Sequence, residues 1–220
     1  MDIRASQESV RLRIARACRR AGRSPEEVTL VAVTKGVAPS VIAAAFELGI
    51  RNFGENRVQE AEEKIKQLSH LKPRPVWHMI GHLQSNKVKP ALALFDIIQS
   101  VDSVKLAQLI SRYTRKKVPV LLQVNVSGEA SKSGFPLSEL GQAFEAISRL
   151  PQIGIKGLMT IAPVGDNPED VRPVFRKLWE LGDSFRLEHL SMGMTDDFEV
   201  AIEEGATMVR LGRALFGERG

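Results

Sequence analysis

The sequence predicts a single-domain α/β fold, a (β/α)8 TIM barrel preceded by one extra helix. Strand patterns and helix patterns alternate almost to the end of the chain, and eight strands joined by helices close into a barrel more readily than they form an open sheet. Several strands are nearly continuous apolar runs, which is typical of parallel strands covered on both faces. The predicted strands span 28–34, 51–54, 76–80, 95–100, 118–126, 154–160, 187–191 and 207–211.

The first element, residues 1–24, is predicted to be an amphipathic helix outside the barrel proper, which spans residues 28–217. We expect this helix to cover the barrel wall that a missing final helix leaves bare. Its basic residues indicate a solvated face. A nucleic-acid surface is the alternative, and it is disfavoured because aromatic residues that could stack on bases make up only 5% of the chain. The basic residues are Arg4, Arg11, Arg13, Arg16, Arg19, Arg20 and Arg23.

The helices between the strands carry recognisable end signals. Pro39 suits an early helical position, and Ser103 and Thr195 are candidate N-caps. Gly49 and Gly205 close the helices that precede them. The predicted helices span 39–49, 56–69, 85–93, 103–116, 137–150, 168–184 and 196–204.

A doubly wound sheet is the alternative architecture. It would usually carry the fingerprint G-x-G-x-x-G after its first strand, and Thr34-Lys35-Gly36-Val37 is not such a fingerprint. No linker, low-complexity tract or internal repeat divides the chain. One domain over residues 1–220 is therefore expected.

The composition is that of an ordinary globular protein, with 220 residues of which 43% are hydrophobic and 26% charged. No apolar run approaches the ~18 residues of a membrane span, and no charged-then-apolar leader opens the chain. The single cysteine, Cys18, cannot form an internal disulfide, which fits a reducing compartment. We therefore expect a soluble cytoplasmic protein with no membrane partner. We also expect a monomer, because no long apolar stripe is left over once the barrel is assembled.

Lys35 is the first candidate for chemistry, because it ends an apolar strand at the edge where a barrel displays reactive groups. Leaving water disfavours an ammonium, so a lysine at the end of a buried strand can be held partly neutral. A neutral amine can attack an aldehyde and form a Schiff base. The alternative is an ordinary lysine that ends the strand and reaches water along its stem.

The turns after the last two strands are candidates for binding phosphate. Barrels commonly hold phosphate at this place with backbone N–H groups and a helix N-terminus. Ser191 offers a hydroxyl, while Gly193 and Gly212 let the backbone approach an anion. The alternative is that these glycines only make tight turns.

Arg210 lies within an apolar strand, where a buried guanidinium needs a partner. It is either an exposed residue at the rim or a residue that points at a ring nitrogen. In the second case its permanent charge would keep a pyridine nitrogen unprotonated, which makes the ring a weaker electron sink.

A metal site is disfavoured. The i, i+4 spacing of His78 and His82 suits a metal only on a helix, and no third ligand is evident. Asp196 and Asp197 stand at a predicted helix start, where carboxylates favour the helix dipole without any catalytic role.

Four segments together resemble the YggS/PROSC family of pyridoxal phosphate homeostasis proteins, and the match runs in order over nearly the whole chain. The segments 53–60 and 77–87 are highly specific, whereas the lysine segment alone is not. The four segments are 32–35 (AVTK), 53–60 (FGENRVQE), 77–87 (WHMIGHLQSNK) and 209–213 (VRLGR), the last followed by Phe216-Gly217.

This resemblance implies a fold-type III barrel, similar to the N-terminal domain of alanine racemase, that binds pyridoxal 5′-phosphate. It implies that Lys35 holds the cofactor aldehyde, that Asn56 lies beside the ring and that Arg210 faces the pyridine nitrogen. It implies a phosphate pocket made by Ser191, Met192, Gly212 and Arg213. The partners that it implies are PLP-dependent apo-enzymes that receive the cofactor.

The chain departs from the family at one point. Many relatives carry Ser-Lys-Thr-Lys around the Schiff-base lysine, whereas this chain reads Thr34-Lys35-Gly36-Val37. The second lysine is absent, so an accessory role for it in handing over the cofactor does not carry over. Lys132 does match a family lysine, although a loop lysine is more often simply solvated.

Two function classes follow, a cofactor keeper without robust turnover and a small amino-acid racemase. Racemisation needs acid–base groups on both faces of the substrate α-carbon. In alanine racemase one of them is a tyrosine brought by a second domain, whereas Tyr113 here falls in a helix away from the predicted cavity. We therefore predict a cofactor keeper with no catalytic residues. A sugar-phosphate aldolase that uses Lys35 without PLP is the third interpretation.

Overall fold

Eight parallel strands close into a barrel in the computed structural model, which describes residues 2–129, 132–165 and 167–218. Each barrel strand pairs with the next along the chain, and the last pairs with the first to close the ring. A short additional strand, β6, pairs only with β5. The predicted single-domain (β/α)8 barrel is confirmed. The strands are β1 (Thr29–Val33), β2 (Asn52–Glu55), β3 (Val76–Met79), β4 (Ile97–Val101), β5 (Val118–Asn125), β6 (Phe135–Pro136), β7 (Ile153–Met159), β8 (His189–Ser191) and β9 (Met208–Leu211).

The helices surround the barrel in the predicted order, with differences at their ends. Two predicted helices, 85–93 and 168–184, begin as 3₁₀ turns at Ser85–Lys87 and Pro168–Val171. None of the helices in the described part of the chain is long and apolar enough to cross a membrane. The helices are α1 (Ile3–Arg20), α2 (Pro39–Glu47), α3 (Val58–Gln67), α4 (Val88–Leu94), α5 (Val104–Tyr113), α6 (Leu140–Ser148), α7 (Arg172–Ser184), α8 (Phe198–Glu203) and α9 (Arg213–Phe216).

The N-terminal helix begins after Asp2, whose carboxylate accepts hydrogen bonds from the first free N–H groups. It ends at Arg20 rather than at the predicted residue 24, because Gly22 takes a left-handed conformation with φ +65°. The N–H of Arg23 then bonds back to the carbonyl of Cys18 at 2.9 Å. Met1, where the predicted helix begins, lies outside the described residues. α1 packs outside the barrel against α8, the short α9 and α2.

Three arginines of the predicted solvated face also contact α8, and only Arg23 among them is well shielded from solvent, with a side chain 17% exposed. Arg13 pairs with Glu199 at 3.0 Å and Arg20 with Glu203 at 2.6 Å. Arg23 donates to two carbonyl oxygens at the end of α8, each at 2.9 Å. These contacts attach α1 to α8, so only Arg4, Arg11, Arg16 and Arg19 remain as exposed cations without an ion-pair partner among the described residues.

Apolar side chains pack in two layers. The larger layer lies between the barrel strands and the helices around them. The smaller one fills the inside of the barrel with Val31, Leu121, Met159 and Met208. Strand side chains alternate between these two layers, as expected for strands covered on both faces.

Polar groups also occupy the inside of the barrel. His78 on β3 is fully buried, and its Nε2 lies 3.0 Å from Oδ1 of Asn52 on β2. Its Nδ1 lies 2.8 Å from Nε2 of Gln99 on β4, which is fully buried as well. The Gln99 amide can only donate from its nitrogen, so Nδ1 accepts and Nε2 carries the proton. His78 is therefore held as the neutral imidazole.

Burial lowers the pKa of His78 from its ordinary value of 6.5 to about 4. Between these two pH values the unfolded chain binds a proton that the folded chain excludes, so stability falls as the pH falls. We expect His78 to contribute about 3 kcal/mol to this loss of unfolding free energy. In His78→Gln the fall between pH 6.5 and 4 should be smaller by about that amount.

Urea unfolding at a series of pH values measures this difference. His70→Gln is the matched control, because His70 is exposed on the surface, and it should keep the pH profile of the unsubstituted protein. Equal slopes for His78→Gln and the unsubstituted protein would contradict the assignment.

Candidate functional site

A cavity of about 900 Å³ opens at the carboxyl ends of the barrel strands. A second cavity of about 420 Å³ lies at the opposite end, beside α1, and no lysine lines it. The larger cavity is the candidate site, because it brings together residues from the turns after β1, β2 and β9. The sequence-predicted residues that line it are Lys35, Asn56, Arg210, Gly212 and Arg213.

Lys35 lies in the turn that follows β1. Its side chain is exposed and lines the cavity, and it makes no hydrogen bond or ion pair with the residues described. Lys35 is therefore exposed, and it is not a buried residue at the end of the strand. The reason is local, because the chain has already turned away from the strand: the N–H of Val37 bonds to the carbonyl of Thr34 at 2.9 Å, and Gly36 has φ +69°.

Arg210, by contrast, is a buried cation that reaches the cavity from within β9. It donates to Oγ of Ser191 at 2.6 Å and to the carbonyl of Thr160 at 2.7 Å. Burial lowers the pKa of Arg210 to about 10, against the opposing effect of Asp197. The guanidinium thus keeps its charge at neutral pH.

The hydrogen bonds below Arg210 form a chain that runs in one direction. A guanidinium only donates, so the Ser191 hydroxyl accepts from Arg210 and must use its own proton on Oε1 of Gln99, at 2.6 Å. Gln99 then presents its NH₂ to His78, which donates to Asn52. We call these five residues the barrel chain.

Ser191 and Met192 do not line the cavity, although the family resemblance implies that they do. Ser191 is fully buried with its hydroxyl engaged in the barrel chain. The side chain of Met192 is buried in the apolar layer around the barrel. Met194 and Thr195, two or three residues further along the same segment, line the cavity instead. The signal was present in the sequence, because residues beyond a strand end are the ones that reach the rim of a barrel.

The turns after β8 and β9 are joined to one another. The carbonyl of Gly193 accepts from the N–H of Arg210 at 3.0 Å, and Oγ1 of Thr195 accepts from the N–H of Ala214 at 3.3 Å. Gly193 has φ +91°, and a Cβ there would lie 2.6 Å from the Cβ of Ala201. Only glycine fits this turn against α8. The two turns therefore form one rim.

Two aspartates support this rim. Asp197 accepts from the N–H of Met194 at 2.6 Å, and burial raises the pKa of its carboxyl. Asp196 forms an ion pair with Arg213, and both of these side chains are largely exposed. Both aspartates therefore have structural partners.

Asn56 lies where the turn after β2 meets the turn after β3. A Cβ on Gly81 would lie 2.4 Å from the Asn56 carbonyl oxygen, so glycine is required for the two backbones to approach. The carbonyl of Gly81 is held by Oγ of Ser100 at 2.6 Å. Asn56 thus lies at the cavity wall, on the turn after β2, and β1 separates β2 from β9 in the barrel.

The other candidates from the sequence occupy the cavity edge or the barrel interior. Lys132 lines the cavity and pairs with Glu129 at 2.9 Å. His82 is exposed at the edge with Nδ1 2.7 Å from Asp102, whereas His78 belongs to the barrel chain. Across the described ranges, no three His, Cys, Asp or Glu side chains come together in a way that could hold a metal ion.

The sequence of this chain matches a known protein family. Residues 7–220 match the family model described as the alanine racemase N-terminal domain. The pyridoxal phosphate homeostasis protein of Aquifex aeolicus is 47% identical over 216 residues, which are 94% of this chain and 94% of that protein. The protein of the same name from Escherichia coli K12 is 40% identical over 230 residues, covering 99% and 97%.

Solved structures agree. PipY of Synechococcus elongatus PCC7942, determined with PLP bound, is 36% identical and superposes with a TM-score of 0.85 over 98% of this chain and 100% of PipY. An alanine racemase of Clostridium difficile is only 15% identical, with a TM-score of 0.70 over 88% of this chain and 56% of the racemase, so it shows the shared fold alone. On its sequence and its structure, the chain belongs to the alanine racemase N-terminal domain family and, within it, to the pyridoxal phosphate homeostasis proteins.

Proposed function

We propose that the protein binds pyridoxal 5′-phosphate as a Schiff base on Lys35 and takes part in cellular PLP homeostasis without robust turnover. One observation carries the proposal. A single cavity holds a primary amine with no partner among the described residues, a buried guanidinium and the turn that carries Gly212 and Arg213. The relatives named above, and PipY with PLP bound, support it.

The donor set of the cavity fits the three ends of this cofactor. When bound, PLP supplies an aldehyde that condenses with a primary amine, and Lys35 is placed to provide that amine. Arg210 would donate to the pyridine nitrogen and keep it unprotonated, because the guanidinium stays charged at neutral pH. Asn56 would lie beside the ring.

The phosphate would be held at the rim made by the turns after β8 and β9. Gly212 and Arg213 line the cavity there together with Met194 and Thr195. Ser191 and Met192 would support the site without touching the phosphate. Ser191 orients Arg210, and Met192 anchors the turn in the apolar layer. This assignment revises the direct contacts that the family resemblance implies for these two residues.

Several features favour a keeper over a racemase. Tyr113 does not line the cavity, and its ring lies on α5 at 5.1 Å from the Lys89 ammonium. The cavity is also open to water, because Lys35 and Val164 are exposed at its edge. Water weakens the electrostatic control that a carbanion would need. A slow racemase remains the second candidate, since Lys35 could serve one face of a substrate.

We further propose that the protein works as a monomer in the cytoplasm and passes PLP to apo-enzymes. Cys18 is a buried free thiol, which fits a reducing compartment. The exposed large apolar side chains that support a monomer lie on α1, α5 and α7 and after β6 and β7, at Leu12, Tyr113, Trp179, Leu137, Ile161 and Val164.

The first prediction concerns Lys35. Incubation with PLP followed by borohydride reduction should place the pyridoxyl group on Lys35, as read by peptide mass mapping. Lys35→Ala should lose the label and the visible absorbance band, because no other amine stands at this turn. Lys132→Ala is the control from the same cavity and should keep the label on Lys35. A label found mainly on Lys132 would refute the assignment, and a protein with no visible band would favour the aldolase interpretation.

A second prediction distinguishes the residues that bind the phosphate of PLP from those that bind its ring. A charge-assisted hydrogen bond is worth about 1.5–3 kcal/mol, so Arg213→Gln should weaken PLP binding about tenfold or more. Its affinity for pyridoxal, which lacks the phosphate, should not change. Ser191→Ala should weaken both ligands alike, because it removes an acceptor of Arg210.

Fluorescence titration with both ligands measures the two ratios. Arg149→Gln is the control, since its side chain is exposed and does not line the cavity. If Arg213→Gln weakened PLP and pyridoxal equally, the phosphate would not lie at this rim.

A third prediction concerns turnover. An acid–base group worth ~10²–10⁴-fold in rate is missing on one face of the proposed site. We expect negligible racemisation when the PLP-loaded protein is incubated with L-alanine in D₂O. Rapid exchange of the α-proton with matching formation of D-alanine, at about 1–10³ per second, would instead establish the racemase.

A further inference from the structure

A buried ion cluster lies directly behind the turn that carries Lys35. Lys64 on α3 pairs with Glu55 at 2.8 Å and with Glu60 at 2.6 Å. Glu55 is fully buried, and Lys64 is the one buried lysine in the described part of the chain. We call these three residues the Lys64 cluster.

The Lys64 cluster holds the backbone on both sides of Lys35. The Lys64 ammonium donates to the carbonyl of Thr34 at 2.5 Å, and the Glu60 carboxylate accepts from the N–H of Gly36 at 2.5 Å. The hydroxyl of Thr34 donates to Glu55 at 2.6 Å. The Lys35 side chain makes none of these contacts, so its backbone is held and its amine stays unengaged.

Stability alone does not explain such a cluster. Apolar residues of similar volume often replace a buried ion pair without loss of stability. The Lys64 cluster also leaves one group unsatisfied, because no donor among the described residues reaches Oε2 of Glu55. Burial accordingly raises the pKa of Glu55, although Lys64 and Thr34 donate to it. The Lys64 cluster does, however, fix the backbone positions of residues 34 and 36.

Two features make this turn dependent on such support. Gly36 has φ +69°, so this part of the turn is outside the conformations that most residues favour. Residues 34–36 also follow β1 without joining either neighbouring helix. The contacts from α3 therefore tie the turn to a rigid element.

We propose that Lys64 is a positioning residue, whose ammonium, with the Glu60 carboxylate, fixes the Thr34–Gly36 backbone so that the Lys35 amine projects into the cavity. The proposal deepens the proposed function and rests on it for the role of Lys35. It adds a residue that makes no contact with the cavity, since Lys64 does not line it.

The test compares Lys64→Met with Lys66→Met. Lys66 lies on the same helix but is exposed, so it controls for the loss of one lysine charge from α3. In Lys64→Met the rate at which Lys35 captures PLP, followed by the visible band in stopped flow, should fall at least tenfold. The affinity for pyridoxine 5′-phosphate, which has no aldehyde, should stay within twofold of the unsubstituted protein. Lys66→Met should match the unsubstituted protein in both measurements.

Amide hydrogen exchange at Gly36 provides a readout that does not involve PLP. Its N–H is protected by Glu60 in the intact cluster, so exchange should accelerate at least tenfold in Lys64→Met and in Glu60→Ala. Glu60→Ala keeps the question decidable if Lys64→Met fails to fold, because Glu60 is partly exposed.

The outcomes are distinct. Unchanged exchange at Gly36 in a folded variant would overturn the positioning role. So would a parallel loss of pyridoxine 5′-phosphate affinity, which would mean that the whole cavity had collapsed. If the unsubstituted protein captured no PLP at all, the proposed function would fail, while the exchange at Gly36 would still decide whether Lys64 holds the turn.

Discussion

The buried guanidinium of Arg210 is the constraint that orders the inside of the barrel. A guanidinium keeps its proton at neutral pH and can only donate, so every polar group below it has one permitted orientation. Ser191 must accept from it, Gln99 must turn its oxygen toward Ser191, and His78 must stay neutral. The barrel chain links β9, β8, β4, β3 and β2 across the interior. A cation at the cavity floor thereby sets polar contacts that reach as far as Asn52.

Lys35 illustrates the opposite arrangement in the same cavity. Arg210 has a buried head group that donates to Ser191 and Thr160, whereas Lys35 has an exposed amine on a backbone that α3 holds in place. The buried and hydrogen-bonded guanidinium of Arg210 suits a role that needs a fixed position and a constant charge. The exposed amine suits the role we propose for Lys35, which is reversible reaction with an aldehyde. Under that proposal, a site with one fixed cation and one available amine, open to water, can hold a cofactor and release it again.

Most elements of the fold follow from short-range patterns, and the exceptions have physical causes. The apolar strand patterns placed every end of the eight barrel strands within two residues of its observed position. The additional strand β6 escaped notice because two residues carry no periodicity. The four-residue helix α9 (Arg213–Phe216) is likewise too short for a pattern. Ser191 and Met192 were assigned to the cavity by motif, yet both lie at the strand end, one level below the residues that reach the rim.

The sequence by itself determined the barrel, the cavity at its carboxyl edge and five of the residues that line that cavity, because these depend on strand spacing and on which residues follow each strand. Only the tertiary structure decided which polar groups meet. Lys64 stands among the buried positions of α3, a hint that the sequence contains, but its partners come from β2, from α3 and from the turn after β1. The exposure of Lys35 and the direction of the barrel chain were likewise settled by packing. Hydrogen-bond direction and burial arise from contacts between residues far apart in the chain, and no local pattern encodes them.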